Sequence, residues 1–405
     1  MSARRTVRSE RGRVVAAVAV SAALVLAACS GSSDDGADAD RDGTTTLARD
    51  DGSTTTPSDD DPNAGGVGTG AADWETVDAA EAGFDPAVLE TLADEAEAQD
   101  SHCLLVARHG RIVGEWYFAG KDEVSTQEVF SATKSFTSLL VGIAQDDGDL
   151  DITQPASDLI TEWQGTDSED VTIRNLLSND SGRSWSIAQD YGELVQAPDK
   201  TGFAVGLTQE HPPGEVWAYN NAAIQTLEQV LEEATGEQTP DFAEERLLGP
   251  IGMDHSVLRA DAEGNGLAFM GLSSTCRDMA RFGQLMLQGG TWDDEQIVSS
   301  AYLDEATTPS QELNTAYGYL IWLNRKGTLA GATNPTSAEE TAGQDDAQMV
   351  PGAPEHLFWA LGLGGQIVQV DRETDTVVVR LGTADADPDY GPDDAARVVT
   401  EAFEG

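Results

Sequence analysis

From residue 74 onward, apolar positions recur with two periods. Near both ends of this stretch they follow a β pattern. Residues 103–107 and 112–118 are β-rich runs around Arg108-His109-Gly110-Arg111, and residues 366–370 and 376–381 flank Asp371-Arg372-Glu373-Thr374-Asp375. Each pair predicts a hairpin. Residues 86–99 and 393–403 read as an opening and a closing helix. Between the hairpins the spacing is helical: Ile224, Leu227, Leu231 and Ala234 form one stripe, and residues 277–287 repeat the pattern. Phe136, Leu139, Leu140, Ile143 and Ala144 form a further stripe that ends at Asp146-Asp147-Gly148. This order predicts an α+β fold in which the terminal segments share one antiparallel sheet flanked by terminal helices, and the insert forms a mostly helical lobe. Ligands usually bind where two such lobes meet.

The first 73 residues follow neither period. Arg4, Arg5, Arg8, Arg11 and Arg13 precede an apolar run over residues 14–28 that is too short for an ordinary span, which predicts an export signal. Its end, Leu26-Ala27-Ala28-Cys29, resembles the lipobox of bacterial lipoproteins. That resemblance implies lipidation of Cys29, a signal peptide over 1–28, and an exported chain anchored by lipid to the extracytoplasmic face of the cell membrane. Residues 29–73, rich in Asp, Gly, Ser and Thr, predict a disordered acidic tether. Residues 74–405 carry no internal repeat or second linker and are expected to form one folded unit. Cys103 and Cys276 remain; the chain permits one disulfide or two buried thiols.

Composition removes several function classes. The 405 residues are 40% hydrophobic with eight Trp, enough for a substantial core. Against 72 acidic residues stand 23 basic ones, for a net charge of −49. A polyanion would be repelled, so no nucleic-acid partner is expected. Removing residues 1–28, which hold five Arg and one Glu, deepens the negative charge. The acidity suits a saline exterior or reflects compositional drift. Five histidines show no ligand spacing, so neither a metal nor a cofactor is expected. No Gly-x-Ser-x-Gly occurs, which disfavours an α/β-hydrolase.

The informative chemistry lies in Phe130-Ser131-Ala132-Thr133-Lys134. Residues three apart at a helix start share a face, so Lys134, one of only four lysines, can take the proton of the Ser131 hydroxyl if burial keeps its amine neutral. Taken alone, the same residues read equally as an N-cap serine and a surface lysine. Tyr219 and Asn221, two apart, can aim a phenol and an amide into one cleft; the plain alternative is a packed Tyr and an N-cap Asn. In Ala360-Leu361-Gly362-Leu363-Gly364-Gly365-Gln366 the glycines predict a close backbone approach, and the Gln366 N–H is a candidate second oxyanion donor beside that of Ser131.

In this order, the three elements resemble those of the serine β-lactamase and penicillin-binding-protein superfamily, especially class C β-lactamase-related, 6-aminohexanoate-dimer hydrolase-like and family VIII esterase-like members. The resemblance covers residue 74 to the end and includes Ser181-Gly182-Arg183-Ser184-Trp185 and Tyr317-Gly318-Tyr319. It implies a β-lactamase/DD-peptidase-like fold and a serine hydrolase that forms an acyl-enzyme. Ser131 would be the nucleophile, Lys134 its base and Tyr219 the acid/base. Asn221, Gly364, Gly365 and Gln366 would form the substrate and oxyanion site, and Tyr191 would line the cleft. The family places Lys-Thr-Gly or His-x-Gly where this chain has Leu363-Gly364-Gly365, so the cation that helps bind a substrate carboxylate is missing. The expected partner is therefore a small ester or amide, neutral or cationic. A β-lactamase, a D,D-peptidase, or a non-catalytic lipoprotein that binds cell wall or β-lactam are the alternatives. Residues 324–356, long and polar, are expected to wall the cleft.

Overall fold

A computed structural model of the protein describes residues 74–385 and 388–404. The export signal, Cys29 and the tether lie outside these residues. Helix α1, Pro86–Ala98, starts on the Asp85 carboxylate, which accepts from Ala87 N and Val88 N, and buries Leu89, Leu92, Ala93 and Ala96.

The two terminal hairpins join edge to edge in one sheet. Strand β1, Ser101–Arg108, pairs with β2, Arg111–Tyr117, through a turn in which His109 and Gly110 both have positive φ. Strands β3, Trp322–Leu323, β4, Phe358–Gly362, β5, Gln366–Asp371, and β6, Thr376–Gly382, complete the order β2-β1-β6-β5-β4-β3, antiparallel throughout. The ends of the folded unit meet at the β1–β6 seam, where Ser101 faces Gly382 and Arg108 faces Thr376. Both faces are covered. Gly283, in helix Cys276–Leu287, packs against Val368 and Val377, whereas the neighbouring Gln369 donates to Ala395 O in the closing helix, Pro392–Arg397. Cys103 on β1 and Cys276 at the start of its covering helix are joined by a disulfide, which resolves the two possibilities that the sequence leaves open.

Helix α2, Thr133–Asp147, runs through the junction of sheet and helical lobe. The pattern predicts one apolar stripe, but every residue from Thr133 to Ala144 is buried. The polar ones are accommodated individually: Ser135 Oγ donates to Leu320 O (2.7 Å) and Thr137 Oγ1 to Ala268 O (2.7 Å). Gly148 closes the helix in the left-handed conformation. Residues 324–356 dock on the helical lobe, with Thr336–Ser337 pairing to Val216–Trp217 just before Tyr219. Asn324 pins the segment's far end by donating to Val350 O, Ala353 O and Pro354 O. Among the described residues, no helix is long and apolar enough to cross a membrane.

Candidate active site

Ser131 lies in a short 3-10 turn, Phe130–Ala132, that feeds α2. Phe130 has φ of 47°, a left-handed conformation that costs a bulky residue energy and here presents the serine at the junction. The predicted pair meets: Lys134 Nζ is 2.9 Å from Ser131 Oγ and 2.8 Å from Phe269 O. The amine lies 4.8 Å from the centroid of the Tyr219 ring and is only 1% exposed. Burial pushes the Lys134 amine down to about 7, while the Asp190 carboxylate opposes that shift. Near neutrality a large fraction is therefore unprotonated, and the 2.9 Å contact then runs from the Ser131 hydroxyl to Nζ.

Tyr219 is buried against Trp322, with ring centroids 5.6 Å apart and planes 28° apart, and Tyr317 stands edge-on to both. Burial raises its phenol well above the usual range, and hydrogen bonds with Ser131 and Trp322 oppose the shift, so the hydroxyl stays protonated. The helix that follows, Asn221–Thr235, is capped by Asn220, whose Oδ1 accepts from Ala223 N. The plain reading of Asn221 as a cap thus passes to its neighbour. Asn221 instead donates from Nδ2 to Asp190 Oδ2 (2.8 Å), and its own oxygen has no well-formed hydrogen bond among the described residues. Tyr191 lies with Asn221, Tyr219 and Tyr317 around this centre, its hydroxyl buried without a well-formed hydrogen bond.

The Gly-rich turn divides its labour differently from expectation. Gly362 provides the close approach: a Cβ there would stand 2.1 Å from Val129 O, two residues before Ser131. Gly364 and Gly365 hold left-handed φ of 81° and 67°, turned away toward Thr383, Tyr390 and Arg380. Gln366 stands in the ladder opposite Gly362, and its side chain ties the turn to its surroundings. Nε2 donates to Leu363 O and Gly382 O, and Oε1 accepts from Gln127 Nε2 and Gly382 N. Among the described residues, no acceptor is paired with the backbone N–H of Ser131 or of Leu363. Leu363, next to β4, thus offers a donor in the turn besides the Gln366 N–H. The cation next to the turn, Arg380, donates to Gly364 O and Gly365 O.

Asp190 escaped the sequence reading. It lies in a wide π-helical turn, Gln189–Glu193, is 1% exposed, and accepts from Asn221 N (3.1 Å), Asn221 Nδ2 and Ala222 N (2.9 Å). Its only signal was adjacency to Tyr191. Among the described residues, no group of three or more His, Cys, Asp or Glu is placed to hold a metal ion.

A family model described as Beta-lactamase matches residues 90–402. The chain belongs to the β-lactamase family. A relative is the 6-aminohexanoate-dimer hydrolase of Paenarthrobacter ureafaciens, 25% identical over 321 residues that cover 74% of this chain and 77% of the relative. Among solved structures, a family VIII carboxylesterase matches with a TM-score of 0.60 at 16% identity, over 77% of this chain and 96% of its own. The β-lactamase/D-alanine carboxypeptidase from Pseudomonas syringae gives 0.56 at 15% identity, over 77% and 97%. Those two share the fold. The β-lactamase family assignment carries a hydrolase of the serine acyl-transfer type in general.

Proposed function

We propose that the protein is a serine hydrolase that cleaves a small neutral or cationic ester or amide through an acyl-enzyme on Ser131, outside the cytoplasm. The observation that carries this reading is the 2.9 Å contact between Ser131 Oγ and the buried amine of Lys134, which burial pushes toward its neutral form. Neutral Lys134 takes the hydroxyl proton as Oγ attacks the carbonyl carbon. The N–H groups of Ser131 and Leu363 receive the oxyanion. Collapse breaks the bond to the leaving group, which takes a proton from the Tyr219 phenol, and the phenol regains one from Lys134. Water, deprotonated by the same base, then attacks the ester of Ser131; as the acyl–Oγ bond breaks, Lys134 returns that proton to Oγ and the acid leaves.

The environment favours substrates without a carboxylate. Arg380, the cation next to the turn, is engaged with Gly364 O and Gly365 O, and the polar groups around Tyr219, the Asn221 amide and the hydroxyls of Tyr191 and Tyr317, are uncharged. A linear amide of the 6-aminohexanoate-dimer type, suggested by the relative of that name, belongs beside a p-nitrophenyl ester and a chromogenic cephalosporin in one assay. The ester or the amide is expected to turn over fastest; a faster cephalosporin would refute the substrate class. A fluorophosphonate should label the wild type and not Ser131→Ala. An unlabelled wild type would favour a binding protein. Export and lipidation at Cys29 form part of the same proposal: Cys29→Ser should release the protein from the membrane fraction and abolish incorporation of labelled fatty acid.

A further inference from the structure

The buried carboxylate of Asp190 contacts neither the Ser131 hydroxyl nor the Lys134 amine, yet everything it holds belongs to their surroundings. Its Oδ2 accepts from both the backbone and the side-chain nitrogen of Asn221, and its Oδ1 accepts from Ala222 N. Those groups open a 15-residue helix whose N-terminal dipole favours a negative charge there. Two residues upstream of Asn221 is Tyr219, whose own carbonyl is held by Trp185 Nε1 (3.0 Å). The Asn221 amide can donate to Asp190 in only one orientation, which leaves its oxygen as a buried acceptor without a well-formed hydrogen bond among the described residues, with the Tyr191 hydroxyl next to the amide. A buried acceptor left open costs free energy, so its persistence two residues from Tyr219 points to a use.

We propose that Asp190 is a positioning residue of the acyl-transfer centre, which clamps the first turn of helix Asn221–Thr235 so that Tyr219 and the amide oxygen of Asn221 are held in register with Ser131 and Lys134. The charged and titratable groups that face it are Lys134, Tyr191 and Tyr219. Its negative charge opposes the loss of the Lys134 proton, so it acts on the base through space as well as on the phenol through the chain. An asparagine in its place would meet Asn221 amide to amide and force one of the two to turn over.

This inference rests on the Ser131–Lys134 reading, and two variants separate it from that reading. Asp190→Asn removes the charge at nearly constant shape. With active sites counted by fluorophosphonate, kcat on a p-nitrophenyl ester should fall roughly 10- to 100-fold with little change in KM. The acid limb of kcat/KM should move down by about 0.5 to 1 pH unit, because the base loses its neighbouring anion. Asp190→Glu keeps the charge and displaces it by one methylene, so kcat should fall by about tenfold while the acid limb stays in place. A merely structural aspartate would lower the melting temperature and the titratable fraction and leave kcat per active site and the acid limb unchanged; that result overturns the proposal. If Asp190→Asn does not fold, Asp190→Glu decides alone, and wild-type kcat in the folded variant overturns the proposal. Should Ser131→Ala keep its labelling and activity, the reading of the centre fails instead, whatever the Asp190 variants do.

Discussion

Two basic side chains are buried in different surroundings, Arg380 where β6 meets β1 and the glycine turn and Lys134 beside Ser131, Phe269 and Tyr219. Arg380 on β6 is 1% exposed, as is Lys134. Its guanidinium reaches Ser101 Oγ, Gly364 O, Gly365 O and Gln99 O, so every arm of a planar donor has an acceptor. Burial lowers it only to about 10, and it remains charged at neutral pH. Lys134 has two acceptors, one of them the hydroxyl it is proposed to deprotonate, and burial brings it to about 7. Desolvation acts on both. What differs is the starting value, 12.5 against 10.5, and the anionic or polar neighbours that oppose desolvation: Tyr390, Asp100 and Asp394 around the guanidinium and Asp190 near the amine.

The largest expected effect breaks that comparison at the lysine. Lys134→Met should reduce kcat on a p-nitrophenyl ester by roughly 10³-fold, about 4 kcal/mol in the barrier, and leave the urea midpoint at pH 7 unchanged or higher, because a poorly solvated cation is removed. Arg380→Met should show the reverse order of effects. Four acceptors lose their donor, so urea unfolding should report a loss of about 3–5 kcal/mol, with a smaller fall in kcat per active site from the loosened turn. The third effect is the smallest and sharpens the contrast through pH. An unfolded lysine keeps its proton to about 10.5, whereas folded Lys134 loses it at about 7, so between those values folding releases a proton. The penalty of burying the amine is complete below pH 7 and fades as pH rises, so stability should climb from pH 7 to 9 in the wild type relative to Lys134→Met. Equal slopes in the two proteins would show that the amine is not desolvated. The acid limb of wild-type kcat/KM should likewise fall at about 7.

The same contrast explains what was legible. Local periods found the opening helix, both terminal hairpins and the helix behind Ser131, because amphipathic spacing and turn residues act within a few positions. The Ser131–Lys134 pair was legible for the same reason: three residues of helix set their distance. The short strand Trp322–Leu323 has no such signal, since two residues carry no period and only its pairing with Phe358–Gly362 makes it a strand. Asp190 was missed because its partners, Asn221 and Ala222, follow about thirty positions later, across a turn no pattern marks. The role of the Gln366 side chain was not legible: Gln127 and Gly382, neither of them near in sequence, claim it, and among the described residues Leu363 has a further backbone N–H in the same turn without an acceptor.

By itself the sequence determined the alternation of elements, the α+β class, the strong net acidity, and the three separated motifs with Ser131, Tyr219 and the glycines around Leu363. These depend on residue type and short spacing, which folding does not alter. Only the tertiary structure decided that Cys103 bonds Cys276, that α2 is buried on every side, that Asn220 rather than Asn221 caps its helix, and that Asp190 stands over the same turn as Tyr219. It also decided how far burial lowers each buried cation, because the free energy of a buried charge depends on the hydrogen bonds and charges around it, and those are supplied by residues far apart in the chain.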